Sequence, residues 1–139
     1  MTKVSKFQFK GYHISKSIIE LRKDSNLDKI KIGFKVSGLI HQNEGLFQLN
    51  LAVKVTNKEE DLNILIEAIG EFKFESIENT DEINTYFYNN STAILFPYLR
   101  AYISTLTNLS GNRSITLPTM NLSDLANELK ANTKMIDHP

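Results

Sequence analysis

Residues 47–74 read FQLNLAVKVTNKEEDLNILIEAIGEFKF, and this stretch decides the fold. Apolar and polar residues alternate over Phe47–Val55, and the alternation resumes over Leu62–Phe74. Residues 57–61 between the two runs are polar and charged, as in a hairpin turn. Strict alternation over this length is typical of strands that bury one face. The stretch therefore predicts two antiparallel strands joined by a short turn.

The second of these strands also carries an apolar second face. Leu65 and Ile69 lie out of phase with its main apolar positions, so they project to the other side of the sheet. Antiparallel sheets commonly leave that side in water. An apolar second face indicates that either a second layer or a second subunit covers it.

The same pattern extends upstream towards the N-terminus. Residues 30–36 alternate cleanly, and polar residues at 42–45 separate them from the central stretch. An earlier, more mixed strand covers residues 7–20, in which Gly11 favours a bend or bulge. Residues 22–29 are charged and predict a loop. These segments together predict a four-stranded antiparallel sheet connected as a meander.

Downstream of the strands, the apolar spacing changes to three and four residues. Residues 80–88 predict a short helix. A long helix follows from Ser91, with Pro97 either kinking it or marking its first turn, and Gly111 ends it. Apolar residues cover more than one side of this helix, which indicates partners on more than one side. They are Leu95, Leu99, Tyr102, Ile103, Leu106 and Leu109 on the main face, with Ile94, Tyr98 and Ala101 on its flank.

The loop predicted over residues 112–121 is unusually apolar. It contains Ile115, Leu117 and Met120 and is stiffened by Pro118. Such a loop either packs over the sheet or borders an apolar groove.

The chain closes with a predicted short amphipathic helix over residues 122–129 and a polar, frayed tail over residues 130–139. Strands come first and helices last, which predicts an α+β fold. A length of 139 residues fits a single domain over residues 1–139.

The composition excludes several classes of function. Sixteen basic residues balance sixteen acidic ones, whereas dedicated nucleic-acid binders usually carry a basic surplus. The absence of cysteine excludes disulfides, thiolate metal sites and a thiol nucleophile, and it fits a reducing compartment. No apolar stretch is long enough to span a membrane, and the N-terminus lacks the apolar run of a signal peptide. We therefore expect a cytoplasmic protein with no nucleic-acid partner and no membrane insertion.

No arrangement of residues supports catalysis. His13, His41 and His138 lie far apart and lack ligands at helical spacing, and no nucleophile elbow or phosphate loop occurs. We expect no catalytic residue, no metal site and no cofactor, and hence no enzyme. A small-molecule-binding domain remains an alternative, with Tyr12 or His13 as its only candidate residues.

Two motifs near the C-terminus resemble those of the SecB protein-export chaperone family. Residues 94–100, ILFPYLR, are similar to the family's ILFPYAR-type motif, and the likeness continues through residues 102–104. Residues 117–122, LPTMNL, resemble the family's loop between its two helices. Upstream, residues 7–9 resemble its opening strand, and residues 65–74 match its fourth strand more loosely.

The resemblance implies an architecture and an assembly. Family members have a four-stranded antiparallel sheet, a long helix, an inter-helix loop and a second helix. Their protomers form homo-oligomers, here expected as a tetramer built from two dimers or as a dimer. This assembly would cover both the helix and the fourth strand. The implied oligomer-interface residues are Tyr98, Tyr102, Leu106, Leu65 and Ile69.

The resemblance also implies a function. Family members hold unfolded polypeptides, including preproteins for export, without ATP, in a groove formed by the second strand, the inter-helix loop and the last helix. The implied peptide-binding residues are Ile30, Ile32, Phe34, Leu117, Met120, Leu122 and Leu125.

The chain departs from the family in its charge. Family members are acidic and dock on the SecA motor through an acidic sheet surface, whereas this chain is neutral. Glu20 and Glu67 match positions of that surface, but Lys16 falls near another acidic one, and residues 130–134 replace an acidic tail. Beside unfolded polypeptides, SecA and an antitoxin are therefore alternative further partners, since SecB-like relatives also serve as dedicated chaperones in toxin–antitoxin systems.

Overall fold

The central feature of the computed structural model is one sheet with two helices on one side. The structure describes residues 7–75, 80–111 and 113–136, and of residues 80–84 only the backbone. The elements are β1 (Phe7–Leu21), β2 (Ile30–His41), β3 (Leu46–Asn57), β4 (Leu62–Phe74), α1 (Thr80–Leu109), α2 (Leu125–Ala131) and β5 (Thr133–Ile136). The α+β class predicted from the sequence is confirmed.

The order of the strands differs from a simple meander. The sheet runs β1-β4-β3-β2-β5, so only β2, β3 and β4 follow one another as hairpins. β1 pairs antiparallel with β4 at the far edge, which gives a Greek-key connection. The connecting loop is held at that end of the sheet because the buried Asn57 amide donates to the carbonyl of Asn26 (3.2 Å). Because β1 lies on its outer side, β4, the strand with two apolar faces, is an interior strand of the sheet.

The bend predicted at Gly11 is confirmed as a bulge. The pairing register of β1 with β4 shifts between Phe9 and Gly11, and Gly11 has φ +135°. A side chain at this backbone angle would be strained, so glycine is required. A second shift follows between Ile14 and Lys16, and both irregularities increase the local twist of this edge strand.

Alternation gives the sheet one face that packs against the helices and one that does not. The residues of β3 and β4 that face the helices are buried along the full length of both strands. At one end, Phe47, Phe72, Phe74 and Phe87 form a cluster of rings with centroids 4.5–5.9 Å apart. Near the middle, a Cβ on Gly70 would lie 3.2 Å from a methyl of Leu95, so glycine at this position lets α1 approach β4 closely.

The two helical segments predicted on either side of residue 90 form one helix, α1, of 30 residues. Ser91 and Thr107 lie buried within it, and each hydroxyl donates to the carbonyl four residues earlier. Pro97 lies inside the helix on its exposed side, so the carbonyl that it leaves unpaired faces water. Gly111 follows the end of the helix with φ +86°, which confirms the predicted stop.

The prediction of a frayed tail over residues 130–139 was wrong for residues 130–136. α2 begins three residues later than predicted and runs to Ala131, and β5 follows it directly. β5 pairs parallel with β2, opposite Gly38–His41. The Tyr88 hydroxyl on α1 bonds to Thr133, and burial of this phenol raises its pKa above the usual value. The contacts that order this segment come from residues distant in sequence, so local pattern did not reveal them.

Candidate functional site

The first half of β2 presents apolar side chains that the protein covers only in part. Ile30, Ile32 and Phe34 project to the helix side of the sheet and are half-buried against the core. Phe34 packs edge-on against Phe96 of α1, with ring centroids 5.5 Å apart. Because β5 pairs only with Gly38–His41, the edge of β2 before that point has no strand neighbour among the described residues.

The segment between α1 and α2, residues 113–124, is fixed to its surroundings by hydrogen bonds. The Ile115 amide donates to the Thr107 hydroxyl (2.8 Å), and the Arg100 guanidinium donates to the carbonyl of Leu117. The Arg113 guanidinium donates to the carbonyl of Ser25 in the loop before β2 (3.3 Å). These bonds attach the segment to α1 at two points and to the start of β2 at a third.

Of the two readings of this apolar segment, packing over the sheet is right for Ile115 and Leu117. Both are buried, Leu117 completely, and Leu122 is buried as well. Met120 and Leu125 are only partly buried and pack against the edge of the core, and α2 packs against β2. We use the name β2 groove for the partly accessible residues that the family resemblance assigns to peptide binding: Ile30, Ile32, Phe34, Met120 and Leu125. Leu117 and Leu122 were predicted to bind peptide as well, but both are buried and offer almost no accessible surface.

The opposite, open face of the sheet combines apolar and charged residues. Leu65 and Ile69 project to it from β4, as the sequence predicted, and both are half-exposed. Glu67 lies between them, directly opposite Lys16 of β1, and Glu20 accepts a hydrogen bond from Asn63 (3.1 Å). Lys31, Lys35 and Lys54 project to the same face from β2 and β3. The two candidate docking acids therefore share this face with lysines.

A second partly exposed surface lies along α1 and β1 on the helix side. The ring of Tyr98 is 42 % exposed and lies 4.7 Å from the ring of Tyr12, which is 39 % exposed. Phe9 packs against both rings. One turn further along α1, the Tyr102 hydroxyl donates to the Ser17 hydroxyl (3.1 Å), and Leu106 is half-buried. We call Phe9, Tyr12, Tyr98, Tyr102 and Leu106 the aromatic surface.

The two candidates for a small-molecule site do not meet. Tyr12 lies opposite Gly70 and His13 opposite Ile69, so their side chains project to opposite sides of the sheet. Two depressions of about 540 and 820 Å³ lie on the open face and not between the sheet and the helices. Within residues 7–75, 80–111 and 113–136, no three histidine or acidic side chains are grouped to hold a metal ion.

No helix in this part of the chain is long and apolar enough to cross a membrane.

Sequence reasoning missed two members of the site. Phe96 was predicted to lie in the core and within the family motif, but not to take part in the site, yet its ring packs against Phe34. Its spacing of three residues from Leu99 was the available signal, because it places Phe96 beside Leu99 on the buried face of α1. β5 was missed entirely, and only the apolar pair Met135 and Ile136 in an otherwise polar tail indicated it.

Comparison with known proteins gives a family match over most of the chain. The family model for the preprotein translocase subunit SecB matches residues 18–132. No curated protein sequence matches the chain. The chain is similar in structure to a SecB-like chaperone from Mycobacterium tuberculosis, solved in complex with a ChAD peptide from the HigA1 antitoxin. The TM-score is 0.68 and the sequence identity 14%, and the superposition covers 83% of this chain and 88% of the chaperone chain. A protein of unknown function from Streptococcus agalactiae has TM-score 0.48 and 9% identity, with 84% of this chain and 100% of its own covered.

Proposed function

The chain belongs to the SecB family, and from that premise we propose that it is an ATP-independent chaperone that holds unfolded polypeptides. The observation that carries the proposal is the β2 groove, where half-exposed apolar side chains lie beside a strand edge that lacks a neighbour among the described residues. Peptide binding at Ile30, Ile32, Phe34, Met120 and Leu125, supported by Leu117 and Leu122, is part of this proposal.

The groove offers two interactions that any unfolded chain can use. Apolar side chains gain about 25 cal/mol for each Å² of apolar surface that they bury, whatever their identity. The backbone of every residue except proline can pair with a strand edge. A segment that buries about 400 Å² of apolar surface thus gains about 10 kcal/mol before the cost of ordering it. Such a site favours extended, apolar and unfolded chains over folded proteins.

The proposal predicts that the protein suppresses aggregation of a chemically unfolded model protein at near-stoichiometric amounts without ATP. Light scattering after dilution from denaturant measures this directly. An equal mass of a folded protein without chaperone activity is the control for crowding and surface effects. Undiminished scattering in the presence of the correctly folded protein would contradict a general holding function.

A dedicated chaperone for one partner is the second candidate. It is favoured by the structural similarity to a chaperone whose structure contains an antitoxin peptide, because the two chains share a fold over most of their length. Competition separates the candidates. A general chaperone releases a labelled client to many unfolded chains, whereas a dedicated chaperone releases it only to the segment of its own partner.

We further propose that the protein is a homo-oligomer, a dimer or a tetramer, in which the aromatic surface and the open-face residues Leu65 and Ile69 contact other copies. Two tyrosine rings about 40 % exposed lie 4.7 Å apart with Phe9 against both, and contact with another copy would remove these partly apolar rings from water. Sedimentation equilibrium is expected to give a multiple of the 15.8 kDa protomer mass. A single 15.8 kDa species at micromolar concentration would remove the oligomer from the proposal.

The proposal also includes docking on SecA through Glu20 and Glu67. It further includes a cytoplasmic location. The lysines on the same face reduce the negative potential that a basic docking segment would meet. We therefore expect this protein to dock on SecA more weakly than a family member whose sheet surface is acidic.

A further inference from the structure

The C-terminal strand β5 occupies part of the same strand edge that the groove uses. We propose that β5 is a displaceable occupant of this edge, and that a bound polypeptide longer than about six residues pairs with β2 as a strand and replaces it. This inference rests on the proposed function and deepens it. It names the recognised ligand as an extended segment, and it identifies the element of this chain that such a segment competes with.

The hydrogen bonds around Gly38 fix the direction in which β2 presents its backbone. The Gly38 amide donates to the carbonyl of Asn132 (3.3 Å), and the Asn132 side-chain amide donates to the carbonyl of Val36 (3.2 Å). Both groups therefore point away from β3. Backbone groups alternate along a strand, and the register of β2 with β3 is continuous, so Ile30, Ile32 and Phe34 also direct their N–H and C=O groups outward.

The outward-directed edge is thus divided into two parts. No strand of the described ranges pairs with the outer edge of residues 30–35, and β5 covers Gly38–His41. An extended segment of about six residues fits beside the open part. A longer segment that continues along β2 reaches Asn132 and then β5, because both occupy the same line of donors and acceptors.

β5 has the features of an occupant that can be replaced. It is only four residues long, and its outer edge has no strand neighbour in the described part of the chain. Its two central side chains are exposed, Met135 at 51 %, so only Thr133 and Ile136 contribute partly buried surface. A polypeptide strand offers β2 the same backbone bonds and adds side chains for the groove. The native pairing of β5 also demonstrates that this edge accepts an extended segment.

The parallel pairing supplies two test substitutions and a matched control. Gly38 donates to Asn132, so the ladder continues with Lys134 donating to Gly38 and Ile136 donating to Ile40, while the Met135 amide points outward. Lys134→Pro therefore removes a donor that holds β5 in place, and Ile136→Pro removes the next one. Met135→Pro introduces the same ring in the same strand but removes no ladder bond.

The experiment measures fluorescence anisotropy of two labelled peptides of alternating valine and serine, six and twelve residues long, with the full-length protein. We expect Lys134→Pro and Ile136→Pro to tighten binding of the twelve-residue peptide about threefold or more, since a closed β5 reduces apparent affinity by the fraction of open protein. The same two variants should bind the six-residue peptide with the affinity of the wild type. Met135→Pro should bind both peptides with the affinity of the wild type.

Each outcome has a distinct meaning. If wild-type protein binds neither peptide nor an unfolded model protein, the proposed function itself fails. If it binds the twelve-residue peptide and both donor-removing variants bind it equally well or less tightly while retaining the wild-type circular dichroism spectrum, β5 is not a competitor and the inference is overturned. If the donor-removing variants also bind the six-residue peptide more tightly than the wild type does, the separation of the edge into two parts is wrong. Faster amide exchange of Ile136 in wild-type protein on adding the longer peptide would support displacement independently.

Discussion

Replacing Phe34 with aspartate is expected to weaken binding of unfolded polypeptides at least tenfold, or about 1.4 kcal/mol. Phe34 is the largest of the three accessible apolar residues of β2, and its ring packs against Phe96. A bound segment would have to cover a carboxylate at this position. Removing that charge from water without a partner is costly, and the apolar area of the ring is lost as well. Anisotropy of a labelled unfolded client measures the change.

Lys35→Asp is the matched control for this variant. Lys35 is the next residue of the same strand and projects to the open face, so it does not reach the groove. The substitution changes the net charge by two units, whereas Phe34→Asp changes it by one, so a general electrostatic effect would be larger in the control. Both proteins must retain the circular dichroism spectrum of the wild type. Unimpaired binding by a folded Phe34→Asp protein would remove Phe34 from the site.

The largest loss of stability is expected for Phe87→Ala, at about 3–5 kcal/mol of the free energy of unfolding. Phe87 is completely buried, and it stacks on Phe47 with ring centroids 4.5 Å apart and meets Phe72 and Phe74 at steep angles. The cavity left by the ring is bordered by side chains from three strands, which cannot all move inward together. Urea unfolding followed by circular dichroism measures the difference.

Leu109→Ala serves as the control for the stability measurement. Leu109 lies at the end of the same helix and is 74 % exposed, so its truncation should change the free energy of unfolding by less than about 0.5 kcal/mol. Both variants are compared with the wild type at one protomer concentration, because assembly raises apparent stability by mass action. A loss below about 1 kcal/mol for Phe87→Ala would mean that the ring cluster does not hold α1 on the sheet.

The parts of the fold that were predictable are those decided by local pattern. Alternation located β2, β3 and β4, because each strand buries one face along its length. Gly11 and Gly111 marked a bulge and a helix end, because only glycine adopts their backbone angles without strain.

The features that local pattern missed depend on distant partners. β1 pairs with β4 along its whole length, and the buried Asn57 amide holds the loop that connects β1 to β2; no periodicity records either of these long-range contacts. Pro97 and a polar stretch at residues 89–92 interrupted the helical pattern, yet α1 continues through both, because Phe87 and Leu95 are buried in the same core. Tertiary packing overrides local preference at such positions.

The same distinction applies to the candidate site. Alternation placed Ile30, Ile32 and Phe34 on one side of β2, and this placement is confirmed. The depth of burial was not predictable, because it depends on where the segment between the helices lies. The Arg100 and Arg113 hydrogen bonds draw that segment inward, so Leu117 is completely covered while Met120 keeps accessible surface.

The pairing of β5 with β2 has a consequence for biosynthesis. The Asn132 amide and the Val36 carbonyl are separated by 96 residues, and the loop between them contains nearly the whole fold. Closing so long a loop is among the last steps of folding, since the intervening chain must be ordered first. During translation, β2 leaves the ribosome long before residues 133–136, so a newly made copy presents its entire outer edge to other nascent chains. Until residues 133–136 have emerged and paired, the backbone groups of β2 that β5 covers in the folded protein therefore stay free to pair with another chain.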